Sequence, residues 1–259
     1  MDGDEKILVC GDLHAKYHIF EYVKSLAYKY DKVIFLGDYV DDWNTPPEAS
    51  YNLLNSLIEW KKSEPDRVVL LWGNHDLSEY MPEIFRCAGF NQRTSDLVRE
   101  VFRKNEHLFQ IAYNWNRVLF THAGLTDSFA KQLEIDDFQN GWSNIVANEL
   151  NTLLDTEEKR NMLAQVGQAR GGASIPSVIW ADKAELEEDP SSDFIQVVGH
   201  TPVEEITTYT NDEANLIFCD TFSTYPNGAM IGNGSLLEIK FENNELKYSI
   251  IETVKSELN

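Results

Sequence analysis

The sequence is short of positive charge, poor in cysteine and without a long apolar run. Only 22 lysines and arginines face 43 acidic residues in 259, for a net charge of −21. A chain that tracks a nucleic-acid backbone or an anionic membrane needs lysine and arginine to displace counterions, so general binding to either is not expected. The acidity reads as a solvated surface. Cys10, Cys87 and Cys219 are odd in number and show no CxxC spacing. That argues against a disulfide framework or a thiolate zinc site and favours a reducing compartment. No apolar stretch approaches the roughly 18 residues that span a bilayer. Met1-Asp2-Gly3-Asp4-Glu5-Lys6 is acidic and leads into a short apolar run, unlike a secretory signal, so a cytoplasmic location is the expectation. Repeats, low-complexity tracts and linkers are also lacking. A single domain over residues 1–259 is the simplest reading.

What the chain does have is alternation. Lys6 to Cys10, Val33 to Leu36 and Val68 to Trp72 are short buried-strand patterns. Between them, Ile19 to Tyr30 and the stretch from Pro46 to about Trp60 carry apolar residues at helical spacing. This βαβαβ order needs crossovers, which predicts a parallel sheet covered by helices. Met81 to Phe109 reads as mainly helical, Arg117 to Thr121 as β, and about 128–168 as a helical insertion. Strand-like runs follow at Ile195 to Val198 and Leu216 to Cys219. The pair Ser235 to Phe241 and Leu246 to Glu252 closes on an Asn243-Asn244 hairpin turn. The fold class is therefore α/β.

Five polar clusters fall directly after strand-like runs: Gly11-Asp12-Leu13-His14, Gly37-Asp38-Tyr39-Val40-Asp41, Gly73-Asn74-His75-Asp76, Thr121-His122-Ala123-Gly124 and Gly199-His200-Thr201-Pro202. Strand ends of a parallel sheet share one edge, where α/β proteins place their sites. Four of the six histidines lie in these clusters, far from a random scatter. Carboxylate, imidazole and amide oxygen suit manganese, iron or zinc. Asp12 and His14 can reach one ion, and a carboxylate such as Asp38 can bridge two.

The order GDLH, GDYVD, GNHD, THAG, GHTP resembles the signature of the calcineurin-like metallophosphoesterases, especially their phosphoprotein-phosphatase branch and the diadenosine-tetraphosphatase-like enzymes. The resemblance implies a central β-sandwich flanked by helices. It implies a hydrolase that uses a two-metal-activated hydroxide on a phosphate monoester, of a protein or a small molecule. Asp12 and His14 would bind one ion, Asp38 both, and Asn74, His122 and His200 the second. His75 would be the general acid, held charged and oriented by Asp41, because a neighbouring carboxylate raises a histidine's pKa. Asn74 and His75 would also touch substrate. Two divalent ions, manganese or iron with zinc possible, are the expected cofactors.

The chain departs from the branch where GDxVDRG would place an arginine and a glycine: Asp42 and Trp43 stand there. Asp42 would repel a dianionic monoester unless turned away or bound to a cation. Arg170 is the candidate replacement phosphate clamp, since a guanidinium fork matches phosphate oxygens. Ala15 stands where glycine is usual, and Asp76 replaces a glutamate. Trp43 is read as a packing residue, with substrate stacking the alternative, and Asp220 as a strand-end turn residue, with support of the site the alternative; His18 and His107 read as ordinary helix or loop residues. A diester or dinucleoside polyphosphate is the alternative substrate class. A catalytically silent scaffold is the non-enzymatic alternative.

Overall fold

Local sequence patterns become elements largely where the apolar spacing places them. The computed structural model describes residues 5–43, 45–135, 143–191, 194–211, 215–243 and 245–253. The first third runs β1 (Lys6–Cys10), α1 (Tyr17–Leu26), β2 (Lys32–Phe35), α2 (Pro47–Ser63) and β3 (Val68–Leu71). α2 starts as its sequence dictates, with Pro47 and Glu48 in the first turn and Lys61 and Lys62 in the last, matching the helix dipole. The chain continues through α3 (Asn74–Tyr80), α4 (Gln92–Asn105), β4 (Phe109–Gln110), β5 (Ala112–Trp115), β6 (Val118–Thr121), α5 (Asp127–Gln132), α6 (Ser143–Asn151) and α7 (Glu157–Leu163). It ends with α8 (Lys183–Glu188), β7 (Ile195–Val198), β8 (Thr207–Thr210), β9 (Asn215–Phe218), β10 (Leu236–Glu242) and β11 (Glu245–Ile251).

Two sheets result, ordered β11-β10-β1-β2-β3-β4 and β5-β6-β7-β9-β8. β1, β2 and β3 are parallel neighbours, as are β6, β7 and β9, so each sheet sends three strand ends in one direction. Alternation along β1, β2 and β3 sends apolar side chains to both faces of the first sheet. Ile7, Val9, Ile34, Leu36, Val69 and Leu71 face Val118, Phe120, Val197 and Ile217 of the other sheet. Leu8, Cys10, Val33 and Phe35 point the other way, against Phe20, Leu54, Leu57 and Phe102 of the helices. The fold is thus an α/β sandwich flanked by helices.

The stretch expected to be mainly helical, Met81 to Phe109, is helical in its second part, over residues 92–108, and not in its first. Helix begins earlier, at Asn74, and residues 81–91 are not helical. Pro82 offers no backbone N–H, and Gly89 sits at φ +102°. α4 restarts where Asn91 accepts a hydrogen bond from Arg93 N. In the 128–168 block, α6 is tied to the sandwich by Asn151, whose Oδ1 accepts from the N–H groups of Ile111 and Ala112; residues 136–142 of that block lie outside the described residues. β10 and β11 pair Glu242 with Glu245. That leaves a two-residue turn, in which Asn243 takes φ +53° and Asn244 is not among the described residues. Among the described residues, no helix is long and apolar enough to cross a membrane.

Ile239 is fully buried between the sheets on β10. Ile239→Ala is expected to lower the unfolding free energy by roughly 2–5 kcal/mol in urea titration. Leu97→Ala, at a position 37% exposed on α4, should change it by less than about 0.5 kcal/mol.

Candidate active site

Directly after β1, β2 and β7 the backbone turns left-handed at residues other than glycine: His14 (φ 42°), Asp38 (52°), Asp41 (71°) and His200 (65°). Such conformations cost about 1–3 kcal/mol each and persist only where the surroundings enforce them. Asp76 supplies much of that enforcement. Its Oδ2 accepts from Asp38 N (2.8 Å) and Gly73 N (3.0 Å), and its Oδ1 from Tyr39 N (2.9 Å) and Val40 N (3.3 Å). Leu13 N and His14 N in turn donate to Asp38 O, and Asp41 N donates to Ser50 Oγ. Glycine is required at two contacts: a Cβ on Gly73 would overlap the Asp38 carboxylate, and one on Gly199 the Asp12 carboxylate.

These turns bring the named donors together across both sheets. Asp38 Oδ2 lies 3.4 Å from His122 Nε2 and 3.8 Å from His14 Nε2, and His14 Nε2 lies 4.0 Å from Asp12 Oδ2. Asn74 Oδ1 is 2.9 Å from His122 Nε2 and 3.0 Å from His200 Nδ1, which are themselves 3.2 Å apart. The donors form two trios, Asp12–His14–Asp38 and Asp38–His122–His200. Within each, the ligand atoms lie no more than 4.8 Å apart, and Asp38 belongs to both. Asp12 is fixed by His200 N, which lies 3.1 Å from each of its oxygens.

Hydrogen bonds select the tautomers. His14 Nδ1 meets Asp41 O and His122 Nδ1 meets Leu36 O, each at 2.8 Å, so both rings turn Nε2 inward as a lone pair. His122 Nε2, Asn74 Oδ1 and His200 Nδ1 converge, and a proton or a cation has to lie among them; no hydrogen bond fixes which nitrogen of His200 carries its own proton. The proton shows in the electrostatics. Burial pushes His122 down, but the charges of Asp38 and Asp12 outweigh it and raise its pKa to about 9. Burial also pushes Asp38 up, yet the imidazoles of His122, His75 and His14 hold it well below the usual carboxylate range. Burial lowers His14 to about 4 and takes His200 down as well, so both imidazoles are neutral at pH 7. Burial, with Asp220 adding, raises Asp12. A donor set of this kind, buried and mutually repulsive, fits divalent cations.

His75 Nδ1 meets Asp41 Oδ2 at 2.9 Å, and His75 N donates to Asp38 Oδ1 at 3.0 Å. Burial opposes charge on His75, but Asp38 and the Asp41 hydrogen bond raise its pKa well above the ordinary value. Arg170 enters the same cleft, a cavity of about 710 Å³. Its Nε lies 2.9 Å from Asp182 Oδ2, and its Nη2 donates to Thr201 Oγ1 at 3.0 Å. Asp42 does not face the cleft unaccompanied. Lys16 Nζ sits 3.0 Å from its Oδ2, and Thr224 Oγ1 donates to its Oδ1 at 2.9 Å. Burial favours the neutral acid there, and Lys16 overrides it to lower the pKa.

Trp43 corrects its reading as a packing residue: it is 57% exposed at the cleft, with Tyr225 53% exposed across the same lining. Asp220 is more than a turn residue. It is buried, accepts from Ser223 Oγ at 2.7 Å, and acts electrostatically on Asp12. His18 and His107 are exposed and outside the cleft. Sequence reasoning gave Asp76 no role and passed over Lys16. Asp76 ends the GNHD cluster, and an acid at the third helical position can accept from the backbone N–H that precedes the helix, here Gly73 N. Lys16 carries no comparable signal.

Residues 5–244 match the family model described as calcineurin-like phosphoesterase. A serine/threonine-protein phosphatase 4 catalytic subunit from Kluyveromyces lactis is 31% identical over 133 residues, 48% of this chain and 40% of the relative. Human serine/threonine-protein phosphatase 5 is 29% identical over 133 residues, 47% of this chain and 24% of the relative. The matched stretch therefore spans well under two thirds of either relative. A cold-active protein-tyrosine phosphatase from a psychrophilic Shewanella superposes with a TM-score of 0.58 at 17% identity, covering 96% of this chain and 80% of that one. That likeness is one of fold.

Asp76→Asn keeps the shape but removes one anionic acceptor from four backbone donors. It is expected to cost roughly 2–4 kcal/mol in unfolding free energy and to weaken manganese binding. Urea titration and metal analysis after dialysis check both. A variant as stable and as metal-competent as wild type would remove Asp76 from this role.

Proposed function

The chain belongs to the calcineurin-like phosphoesterase family, and from that premise we propose that it is a metal-dependent phosphoester hydrolase acting on phosphate monoesters. One observation carries the reading: two donor trios that share Asp38. Asp12, His14 and Asp38 would hold one ion, and Asp38 with Asn74, His122 and His200 the other. The six donors contain carboxylate, imidazole and amide but no sulfur, which suits manganese or iron and admits zinc. Bound there, two divalent ions supply Lewis acidity to the phosphoryl group and activate the attacking water.

The remaining steps belong to side chains. His75, held by Asp41 through Nδ1, presents Nε2 and gives its proton to the leaving oxygen as the P–O bond breaks. Asp41 keeps the ring oriented and charged. Arg170, braced by Asp182 and Thr201, offers its guanidinium to the phosphate oxygens. Relatives named as serine/threonine-protein phosphatases support a monoester. A second reading, a dinucleoside polyphosphate or other diester, draws on the exposed Trp43 and Tyr225, which could stack on a base beside the phosphates.

Comparing p-nitrophenyl phosphate, its bis-ester and diadenosine tetraphosphate with manganese supplied tests the choice. The monoester should turn over fastest, and a strong preference for either of the others overturns it. Asp38→Asn should cut kcat roughly a hundredfold or more; equal, negligible turnover in wild type and variant would mark a silent scaffold. Because Asp41 raises the pKa of His75, the acid stays protonated to higher pH in wild type. Asp41→Asn lowers that pKa, so the alkaline limb of kcat should move to lower pH by about one unit. A limb that does not move would exclude His75 as the titrating acid.

A further inference from the structure

The His75–Asp41 pair has a third neighbour that the proposed chemistry does not use. Cys87 Sγ lies 3.5 Å from His75 Nδ1, the nitrogen that also meets Asp41 Oδ2. The three donor atoms all lie within 4.8 Å of one another. Cys87 is held in place: its N–H donates to Ser78 Oγ at 3.3 Å, and Asn91 N donates to Glu79 Oε1 at 2.9 Å. Gly89 lets this segment lie against the pair, because a Cβ there would stand 2.9 Å from Asp41 Oδ2. All three donors line the cleft, and the His75 side chain is 23% exposed, so an ion can reach them from solvent.

We propose that Asp41, His75 and Cys87 form a third metal site, distinct from the dinuclear donor set, that takes a soft divalent ion such as zinc or cadmium and inhibits the enzyme. In tetrahedral zinc, a thiolate at about 2.3 Å and an imidazole nitrogen at about 2.0–2.1 Å stand about 3.6 Å apart. The observed 3.5 Å meets that without rearrangement. The Asp41–His75 contact of 2.9 Å widens by a few tenths of an ångström as the ion replaces the hydrogen bond. Thiolate selects zinc or cadmium over manganese and magnesium, a preference the sulfur-free dinuclear set lacks.

Binding releases the Cys87 thiol proton and the His75 Nδ1 proton to solvent. It leaves Nε2–H on a neutral, metal-bound imidazole, a much weaker acid than the imidazolium it replaces. Inhibition rests on the reading of His75 as general acid, while the site itself does not.

The test is cadmium titration of the manganese-loaded protein, wild type and Cys87→Ser, read by the ultraviolet thiolate-to-cadmium charge-transfer band and by p-nitrophenyl phosphate hydrolysis at saturating manganese. Cys10 and Cys219 are fully buried, so the band reports Cys87. Wild type should show a band saturating near about one equivalent. Cys87→Ser should lack it and need roughly tenfold more cadmium for half-inhibition. No band in wild type overturns the site. Equal inhibition of both forms overturns the inhibitory role and points to displacement of manganese. A band in a protein that hydrolyses no phosphoester would keep the site and sink the hydrolase reading.

Discussion

The site depends on one carboxylate accepting four backbone N–H groups. Asp76 is fully buried, and its donors come from Asp38, Tyr39 and Val40 after β2 and from Gly73 after β3. A left-handed Asp38 would relax toward an ordinary turn without that grip, and its carboxylate would leave the position shared by both donor trios. Burial and the charge of Asp38 push the Asp76 pKa up to about 7, against donors that favour its ionised form. The interaction is expensive in desolvation, and its return is geometric: two strand ends become a single rigid platform.

The platform matters because the donors come from opposite sheets. Asp12, His14, Asp38 and Asn74 follow strands of the first sheet, and His122 and His200 follow strands of the second. Cross-sheet hydrogen bonds set the spacing, with His122 Nδ1 on Leu36 O and His200 N on Asp12. The inter-sheet apolar core fixes how far apart those strand ends stand. A packing change within it therefore reaches the ligand geometry, since close-packed interiors transmit strain.

Much of this was legible in the sequence, for definite reasons. Short apolar runs ending in glycine and a polar residue are strands that stop at a site, and β1, β2, β3 and β7 fall on such runs, while β6 and β9 fall on short apolar runs without the glycine. The six metal-type donors were legible because several clusters in order constrain one another. Other features were not. Helix α3 begins inside a cluster that reads as a loop, since its first residues, Asn74-His75-Asp76, are polar and line the site, Asn74 and Asp76 buried there, instead of forming an apolar stripe. Strand β5 is hidden because Tyr113 and Asn114 are only partly buried between Ala112 and Trp115. The left-handed turns are invisible to composition: nothing in the letters His14, Asp38 or His200 announces a positive φ.

Asp42 shows why a single substitution is a poor guide to a site's charge. Read alone, an acid in place of the phosphate-gripping arginine makes the cleft hostile to a dianion. In the fold, Lys16 and Thr224 engage both of its oxygens, so the acid and the lysine cancel locally. Arg170 then brings positive charge from a segment well over a hundred residues away, braced by Asp182 and Thr201 so that little side-chain entropy is lost on meeting an anion. With a net charge of −21, the chain cannot draw phosphate through its overall field. On the proposed reading attraction is local, from Arg170, the raised His75 and the cations that Asp38 and its neighbours would hold. On that reading the site's affinity for an anion is conditional on its cations, and metal loading and substrate binding are linked equilibria.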